Sequence, residues 1–416
     1  MYKFEKKTMI SLTIFMLVIA GSFFIRGQEI DKIRFKEYKP GFYENVILRD
    51  AKEVKERLSI PVKRKIVKLD YSGKDLPNKV DLYKTYWHFK PISQGNSGTC
   101  WAFSTISLIE SEIYRITKQQ IKLSEMYIVY WEYVEKVREY VKTRGESLVD
   151  EGSQANAVTR MMKKYGCVPY NQYTGLLDGR TYYDHSQMVE EIKKFLRFVK
   201  EANFWNETYV VETVKQIMNK YIGEPPKEVV WQNKTYTPIQ FMKDILKINP
   251  DDYVNIISYM QEPFYKNVLY DVPDNWWKST DYYNLPLEEY IKALRKAIEN
   301  GYTVAIAGDV SEAGLDPEYQ TATVPSFDIP SKYINDEARQ FRFSNKSTTD
   351  DHGMHLVGYT DYKGKRWYLI KDSSAGSRNI DPNAKEFGYY FFDEDYIKLK
   401  IMYFTVHKDA VKEFLK

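Results

Sequence analysis

The chain has very little cysteine, since its 416 residues include only Cys100 and Cys167. Two thiols cannot supply a tetrahedral, cysteine-rich zinc site, and this class of metal centre is therefore excluded. Cys167 lies within the segment Tyr165-Gly-Cys-Val-Pro169, and we interpret it as a structural, buried residue. Any thiol chemistry is therefore expected at Cys100.

The chain also lacks an excess of charge, because 61 Lys and Arg residues balance 57 Asp and Glu residues to give a net charge of +4. This balance gives no electrostatic footprint for nucleic acid. Charged residues make up 28% and hydrophobic residues 43%, which are ordinary globular values. We therefore expect a folded chain of two or three domain-sized units, without a nucleic-acid partner.

A hydrophobic run marks the N-terminus. Met9–Ile25 contains 17 residues without a charge, and Lys3, Lys6 and Lys7 precede it. A basic start followed by an apolar run is typical of a secretory signal peptide or an uncleaved anchor, and a buried core helix is the alternative. The run is marginal for a full membrane span, which needs about 20 apolar residues. We predict export to the periplasm or the exterior, either with cleavage or with a membrane tether at residues 9–25.

The segment Gln94-Gly-Asn-Ser-Gly-Thr-Cys-Trp-Ala-Phe-Ser104 places Cys100 at the start of a predicted helix, Cys100–Thr117. Apolar residues recur there at helical spacing, at positions Phe103, Ile106, Ile109 and Ile113. The positive end of the helix dipole favours a thiolate over a thiol. The backbone N–H of Cys100 and the amide of Gln94 could both stabilise an oxyanion. A buried cysteine acting as a small apolar residue is the alternative.

These motifs resemble the papain-like cysteine peptidases. The matching segments are Pro77–Leu82, Gln94–Ser104, Leu123–Glu125, Gly152–Ser153, Tyr165–Pro169, Asp351–Tyr359 and Trp367–Ser373. The resemblance implies that Cys100 is the nucleophile, Gln94 the oxyanion-hole amide and His352 the general base and acid. Asp372 stands where the family usually has the Asn that orients the histidine.

The spacing of His352 and Asp372 is compatible with such a site. Leu356–Tyr359 and Trp367–Ile370 are predicted to be antiparallel strands joined by a turn at Asp361–Gly364. A hairpin of this kind holds both side chains at one end of a sheet. His352 and His355 are expected on opposite faces of their strand, so we predict no shared metal, and we expect no cofactor.

Three residues depart from the family pattern. Ser97 replaces a disulfide cysteine of many relatives, and Ser374 replaces the Trp that usually shields the third catalytic residue. Asp372 adds a negative charge near His352, which is expected to raise the pKa of the imidazole. The missing Trp predicts that Asp372 is more solvated than its counterpart in relatives.

Cys100 and His352 lie 252 positions apart, whereas the papain-like spacing is about 130–150 residues. The extra residues resemble the insertion of the bleomycin hydrolase and aminopeptidase C branch. Members of that branch form hexamers, and a C-terminal arm in the cleft makes them aminopeptidases. The resemblance therefore implies a homo-oligomer acting as an aminopeptidase or oligopeptidase on peptide or protein substrates. The ten residues after Val406 are short and basic for such an arm, which leaves endopeptidase action open.

The expected fold class is α+β, a papain-like two-domain fold with a large helical insertion. The predicted boundaries are 1–27 for the signal peptide or anchor, 28–76 for an N-terminal extension, 77–183 for the helical half, 184–300 for the helical insertion and 301–416 for the β-rich half. Two other functions fit the same residues: a degenerate peptidase scaffold that binds peptides or protein partners, and acyl transfer to an amine.

Overall fold

The computed structural model describes residues 33–37, 65–177, 179–374 and 383–416. Within these ranges no helix has the length and apolar character needed to cross a membrane. The hydrophobic run Met9–Ile25 lies outside them, so the signal or anchor stays a prediction.

The helices follow the apolar periodicity of the sequence. They are α1 (Cys100–Thr117), α2 (Glu125–Lys142), α3 (Ala155–Tyr165), α4 (Ser186–Glu201), α5 (Glu207–Ile222), α6 (Leu287–Glu299), α7 (Asp336–Ser344) and α8 (Glu394–Lys400), with a short turn Pro238–Gln240 that continues as a π-helix at Phe241–Ile245. Polar caps fix several of their starts: the Ser124 hydroxyl, for example, accepts a hydrogen bond from the Tyr127 N–H at the start of α2.

The strands are short at the edges and longer at the centre of the main sheet. They are β1 (Ile33–Glu37), β2 (Lys65–Leu69), β3 (Lys84–Thr85), β4 (Val229–Trp231), β5 (Lys234–Tyr236), β6 (Tyr253–Ile257), β7 (Asn267–Val268), β8 (Tyr282–Asn284), β9 (Val304–Gly308), β10 (Leu315–Asp316), β11 (Thr321–Ala322), β12 (His352–Tyr362), β13 (Lys365–Lys371), β14 (Tyr389–Asp393) and β15 (Ile401–His407). In the described part of the chain, eleven of them form one mixed sheet in the order β10-β11-β14-β13-β12-β9-β15-β6-β8-β7, with β3 paired to β12.

The predicted hairpin near the end of the chain is confirmed. β12 and β13 pair antiparallel from His355 opposite Lys371 to Tyr362 opposite Lys365. Lys363 and Gly364 form the turn with φ values of 50° and 78°. Two positive φ values at a two-residue loop match the right-handed twist of the flanking strands.

The α+β class is confirmed, but the segment 184–300 is less helical than predicted. Its first part forms α4 and α5, and its end forms α6. Between them, β6, β7 and β8 join the main sheet, where β6 pairs with β15. Tyr253-Val-Asn-Ile-Ile257 is rich in β-branched residues and follows Pro250, which is a strand signature.

The two largest apolar cores of the described residues are one that includes helix α1 and one on the sheet. The first contains buried Ile109, Val129 and Leu196. The second contains Leu356 and Phe404. Since α1 lies against β12, the N-terminus of the helix meets the start of that strand.

Part of the predicted N-terminal extension contacts the sheet side. β1 pairs antiparallel with β2, and the Leu69 N–H donates to the Ala313 carbonyl at 2.9 Å. The buried Tyr71 hydroxyl donates to the Gly314 carbonyl. Residues 65–71 are therefore anchored to the loop between β9 and β10.

Candidate active site

Cys100 is the first residue of α1 and is 9% exposed. The preceding Thr99 makes no side-chain cap, and the first N–H groups of a helix have no partner within it. The thiol therefore lies at a helix end where open N–H groups and the dipole favour negative charge.

Glu151 holds the loop in front of Cys100. Its Oε2 accepts a 2.6 Å hydrogen bond from the Gly98 N–H, and its carbonyl accepts one of 3.1 Å from the Trp101 indole. One buried residue thereby fixes the chain on both sides of the thiol. Sequence reasoning singled out the neighbouring Gly152 and Ser153 and missed this residue, because a carboxylate before a glycine carries no signal by itself.

The structure brings Cys100, His352 and Asp372 together, although they are far apart in the sequence. His352 begins β12 and Asp372 directly follows β13, so the hairpin places both at one end. The His352 Nε2 lies 2.5 Å from the Asp372 Oδ1. The Cys100 side chain lies close enough to attract the protonated ring. Because Asp372 engages Nε2, Nδ1 is the ring nitrogen that serves the thiol.

The electrostatics of this group favour a charged imidazole. Burial by itself would lower the pKa of His352, but attraction to Asp372 and Cys100, together with the hydrogen bond to Asp372, raises it to about 10. The direction agrees with the effect expected from an aspartate at position 372. The ring therefore stays protonated across the neutral range.

The expectation that Asp372 is more solvated is wrong. Asp372 is 2% exposed, and Ser374 is fully buried beside it. The Ser374 hydroxyl donates to Asp372 Oδ2 at 2.6 Å, and the Ser374 N–H donates to the same oxygen at 3.2 Å. Ser374 thus satisfies the outer oxygen of the carboxylate by hydrogen bonding instead of covering it with a ring.

Gln94 is fully buried, and it is not among the described residues that line the cavity above Cys100. Its Nε2 donates to the Ser97 carbonyl and its Oε1 accepts from the Ser373 hydroxyl, both at 2.7 Å. A primary amide has two N–H groups, so one remains for a further acceptor. These contacts tie the loop before Cys100 to the residue after Asp372.

Gly353 allows α1 and β12 to approach closely. A Cβ at this position would lie 2.9 Å from the Ser104 Oγ, 3.4 Å from the Trp101 Cα and 3.5 Å from the Cys100 carbonyl oxygen. A glycine inside a strand often marks such an approach of another backbone. This signal was present in the sequence next to His352, and sequence reasoning did not use it.

The substitution Gly353→Val is expected to lower kcat/KM by about 100-fold, since a misplacement of about 1 Å between reacting groups has an effect of this size. The γ-methyl groups would push the start of α1 away from His352. Gly353→Ala should have a smaller effect, because only the rotatable Ser104 hydroxyl lies closer than 3.0 Å, and adding Ser104→Ala should restore activity. Steady-state kinetics on purified variants check this. Unchanged kcat/KM in Gly353→Val would mean that this contact does not position Cys100.

A cavity of about 360 Å³ opens over the thiol. Cys100, Trp101, His352, Gly353 and Tyr403 line it. Five carboxyl side chains also line it: Asp150, Glu151, Asp274, Asp350 and Asp351. The cavity next to the nucleophile is therefore strongly acidic.

The other candidate residues lie outside this cavity. The His355 Nδ1 is 2.8 Å from the Ser107 Oγ, and burial together with the charge of Lys371 keeps the pKa of His355 well below its ordinary value. Burial raises the pKa of the Cys167 thiol. In the described ranges, no three His, Cys, Asp or Glu side chains form a group that could hold a metal ion.

Known proteins share this arrangement of elements and motifs. A profile of the Peptidase C1-like family matches residues 81–416. Aminopeptidase G of Lactobacillus delbrueckii subsp. lactis is 22% identical over 364 residues, which are 76% of this chain and 80% of that protein. Aminopeptidase C of Lactobacillus helveticus is 21% identical over 378 residues, which are 79% of this chain and 81% of that protein.

The solved structure of PepW from Lactobacillus rhamnosis HN001 superposes with a TM-score of 0.64 at 16% identity, covering 90% of this chain and 92% of that one. This likeness shows the fold. The family match and the named relatives confirm the predicted branch. The chain belongs to the Peptidase C1-like family and is a papain-like cysteine peptidase.

Proposed function

We propose that the chain is a cysteine aminopeptidase that cleaves peptide bonds through the thiolate of Cys100. The observation that carries this proposal is the position of His352, which is hydrogen-bonded to Asp372 and lines the same cavity as Cys100. The names of the relatives support release of N-terminal residues.

The reaction follows from this geometry. The Cys100 Sγ attacks the carbonyl carbon, and the carbonyl electrons move to oxygen. The protonated His352 then donates its Nδ1 proton to the leaving amine as the C–N bond breaks, which leaves a thioester. A water molecule gives a proton to Nδ1 as it attacks the thioester, and the departing thiolate restores the starting ion pair. Asp372 holds the Nε2–H throughout and keeps the ring aimed at the thiol.

The oxyanion formed in each attack needs fixed donors. The backbone N–H of Cys100 is one candidate, because it lies at the open end of α1. The second N–H of the Gln94 amide is the other candidate. Its position is supported by the two hydrogen bonds that hold this side chain next to Ser97 and Ser373.

Export belongs to the same proposal, since it rests on the basic start and apolar run at residues 1–25. An exported aminopeptidase would act on peptides in the periplasm or outside the cell.

Thiol labelling of the purified full chain tests the nucleophile, with Cys167 as a control in the same molecule. A peptide-like electrophile is expected to label Cys100 rapidly and to leave the deeply buried Cys167 unlabelled under native conditions. His352→Ala should slow labelling of Cys100 by about 100-fold, the lower range for loss of a general base. Mass spectrometry of the labelled peptides gives the sites.

Product analysis tests whether the enzyme removes residues from the N-terminus of a peptide. Incubation with an unblocked peptide should release single residues from its N-terminus. Internal cleavage alone would assign an endopeptidase. Slow, equal labelling of both cysteines without any cleavage would instead support the binding-scaffold function.

A further inference from the structure

The acidic cavity wall contains two kinds of carboxylate. Three are already engaged by the protein: Glu151 by the Gly98 N–H, Asp351 by the Val310 N–H at 2.9 Å, and Asp150 by Lys193 at 2.6 Å. These contacts hold loops and explain why acidic residues are needed at those positions. Asp274 and Asp350 remain to be explained.

Among the described residues, neither remaining carboxylate has an ion-pair partner. Asp274 accepts no hydrogen bond from them either. The buried Lys136 donates to the carbonyls of Asp150 and Gly152 and stabilises the charge of Asp274 only from beyond ion-pair distance. Burial raises the pKa of Asp274 to about 6 against this attraction, and burial with a smaller contribution from Asp274 raises that of Asp350 to about 7 against the hydrogen bond from Gln154. A bound cation would favour the charged form of both carboxylates.

The Gln154 side chain independently indicates a ligand that carries a hydrogen-bond donor. This side chain is 3% exposed and lines the cavity. Its Nε2 donates to the Asp350 Oδ2 at 2.7 Å. An ionised Asp350 can only accept, so in that state this bond fixes the orientation of the amide. The Gln154 Oε1 is left buried with no donor among the described residues. A buried acceptor without a donor is costly, and an incoming N–H group would relieve that cost.

The three residues lie beside the reacting atoms. Asp350 precedes His352 by two positions, Gly152 packs against Asp274, and Tyr403 is within electrostatic reach of both Asp350 and Cys100. Asp274 and Asp350 line the same cavity as Cys100, so the wall itself provides carboxylates near the nucleophile.

We propose that Asp274, Asp350 and the Gln154 Oε1 form a subsite for a primary ammonium group, namely the α-ammonium of the substrate's first residue. This inference rests on the proposed aminopeptidase function and explains how the site would select a substrate with a free N-terminus. Two carboxylates and one carbonyl oxygen match the three donors of an ammonium group. An ammonium bound there would place the first peptide bond at Cys100, so that cleavage removes one residue or a very short unit.

A lysine side chain presents the same ammonium chemistry. Three matched amide substrates, tested on the full-length protein, distinguish binding of the α-ammonium from binding of the ε-ammonium. One has a neutral first residue with a free α-amino group, the second is its N-acetylated twin, and the third carries an N-acetylated lysine. The variants are Asp274→Asn, Asp350→Asn and the double substitution. Asp271→Asn is the control, because Asp271 is exposed on the same segment and pairs with Lys278.

We expect the wild type to prefer the free α-amino substrate. Each single variant should lower kcat/KM for it by about tenfold and the double variant by about 100-fold, as for loss of charged hydrogen bonds. The acetylated twin should change by less than about threefold with every variant, which excludes misfolding as the cause. Asp271→Asn should match the wild type on all three substrates.

The alternative outcomes are distinguishable. Preference for the acetylated lysine substrate, lost in the double variant, would support the ammonium subsite but assign it to a side chain. An unchanged ratio of free to acetylated substrate in the double variant would overturn the subsite and leave the peptidase standing. Absence of cleavage of all three by the wild type, with Cys100 unlabelled, would overturn the proposed function and the subsite together.

Discussion

Replacing Cys100 by alanine is expected to lower kcat by about 10⁵- to 10⁶-fold, the effect of losing a nucleophile from a coupled catalytic group. No other thiol can take its place, because Cys167 lies in the helical core. Hydrolysis of an unblocked peptide by purified wild type and variant gives the ratio. Thermal unfolding should be nearly unchanged, since Cys100 lies at the cavity and removal of its sulfur opens no internal void.

The matched control is Cys167→Ala. Cys167 is fully buried, so this substitution should reduce the free energy of unfolding by about 1 kcal/mol and leave kcat within about twofold. Activity of Cys100→Ala above about 1% of the wild-type value would point to a different nucleophile.

The parts of the site that follow local rules could be predicted from the sequence. The helix that starts at Cys100 has apolar residues at a clear spacing, and the hairpin between His352 and Asp372 has two short apolar runs on either side of a turn at Asp361–Gly364. Each of these patterns lies within about 20 residues. The approach of helix to hairpin had to come from the family resemblance, because nothing local encodes a contact over 252 positions.

The acidic wall could not be predicted in this way. Asp274 and Asp350 come from separate loops, and each looks like an ordinary surface carboxylate in the sequence. Their shared environment arises only after β6 to β8 join the main sheet and carry residues 253–284 to the cavity side. The same segment was expected to be part of a helical insertion. Missing its strands therefore also hid half of the proposed subsite.

The two sides of the cavity are joined by polar contacts as well as by apolar packing. The Ser373 hydroxyl donates to Gln94, and the Ala155 N–H donates to the Tyr403 hydroxyl at 3.1 Å. Each bond links the helical side to a strand or strand end of the sheet. Relative movement of the two sides would break buried hydrogen bonds, so the distance between thiol and imidazole is held by the whole boundary.

Asp372→Ala is expected to lower kcat/KM by about 10³- to 10⁴-fold, because the imidazole loses the group that fixes its orientation and charge. The buried Nε2–H would be left without an acceptor. Asp372→Asn should keep activity within about tenfold of wild type, since the amide oxygen can still accept from Nε2–H and the Ser374 hydroxyl can accept from the new amide nitrogen. Only the 3.2 Å hydrogen bond from the Ser374 N–H loses its acceptor. Kinetics over a pH series separate the two variants.

The pH profile tests the charge of Asp372 separately from its shape. In the wild type the ion pair needs protonated His352, whose pKa is raised to about 10, so kcat/KM should fall only as the pH rises through that value. Asp372→Asn removes the attraction that raises this pKa, and the alkaline fall must therefore move to lower pH. Asp361→Asn, on the exposed part of the same hairpin, should leave the profile unchanged. An identical alkaline limb in wild type and Asp372→Asn would mean that Asp372 orients His352 without stabilising its charge, and that the ion pair depends on Cys100 alone.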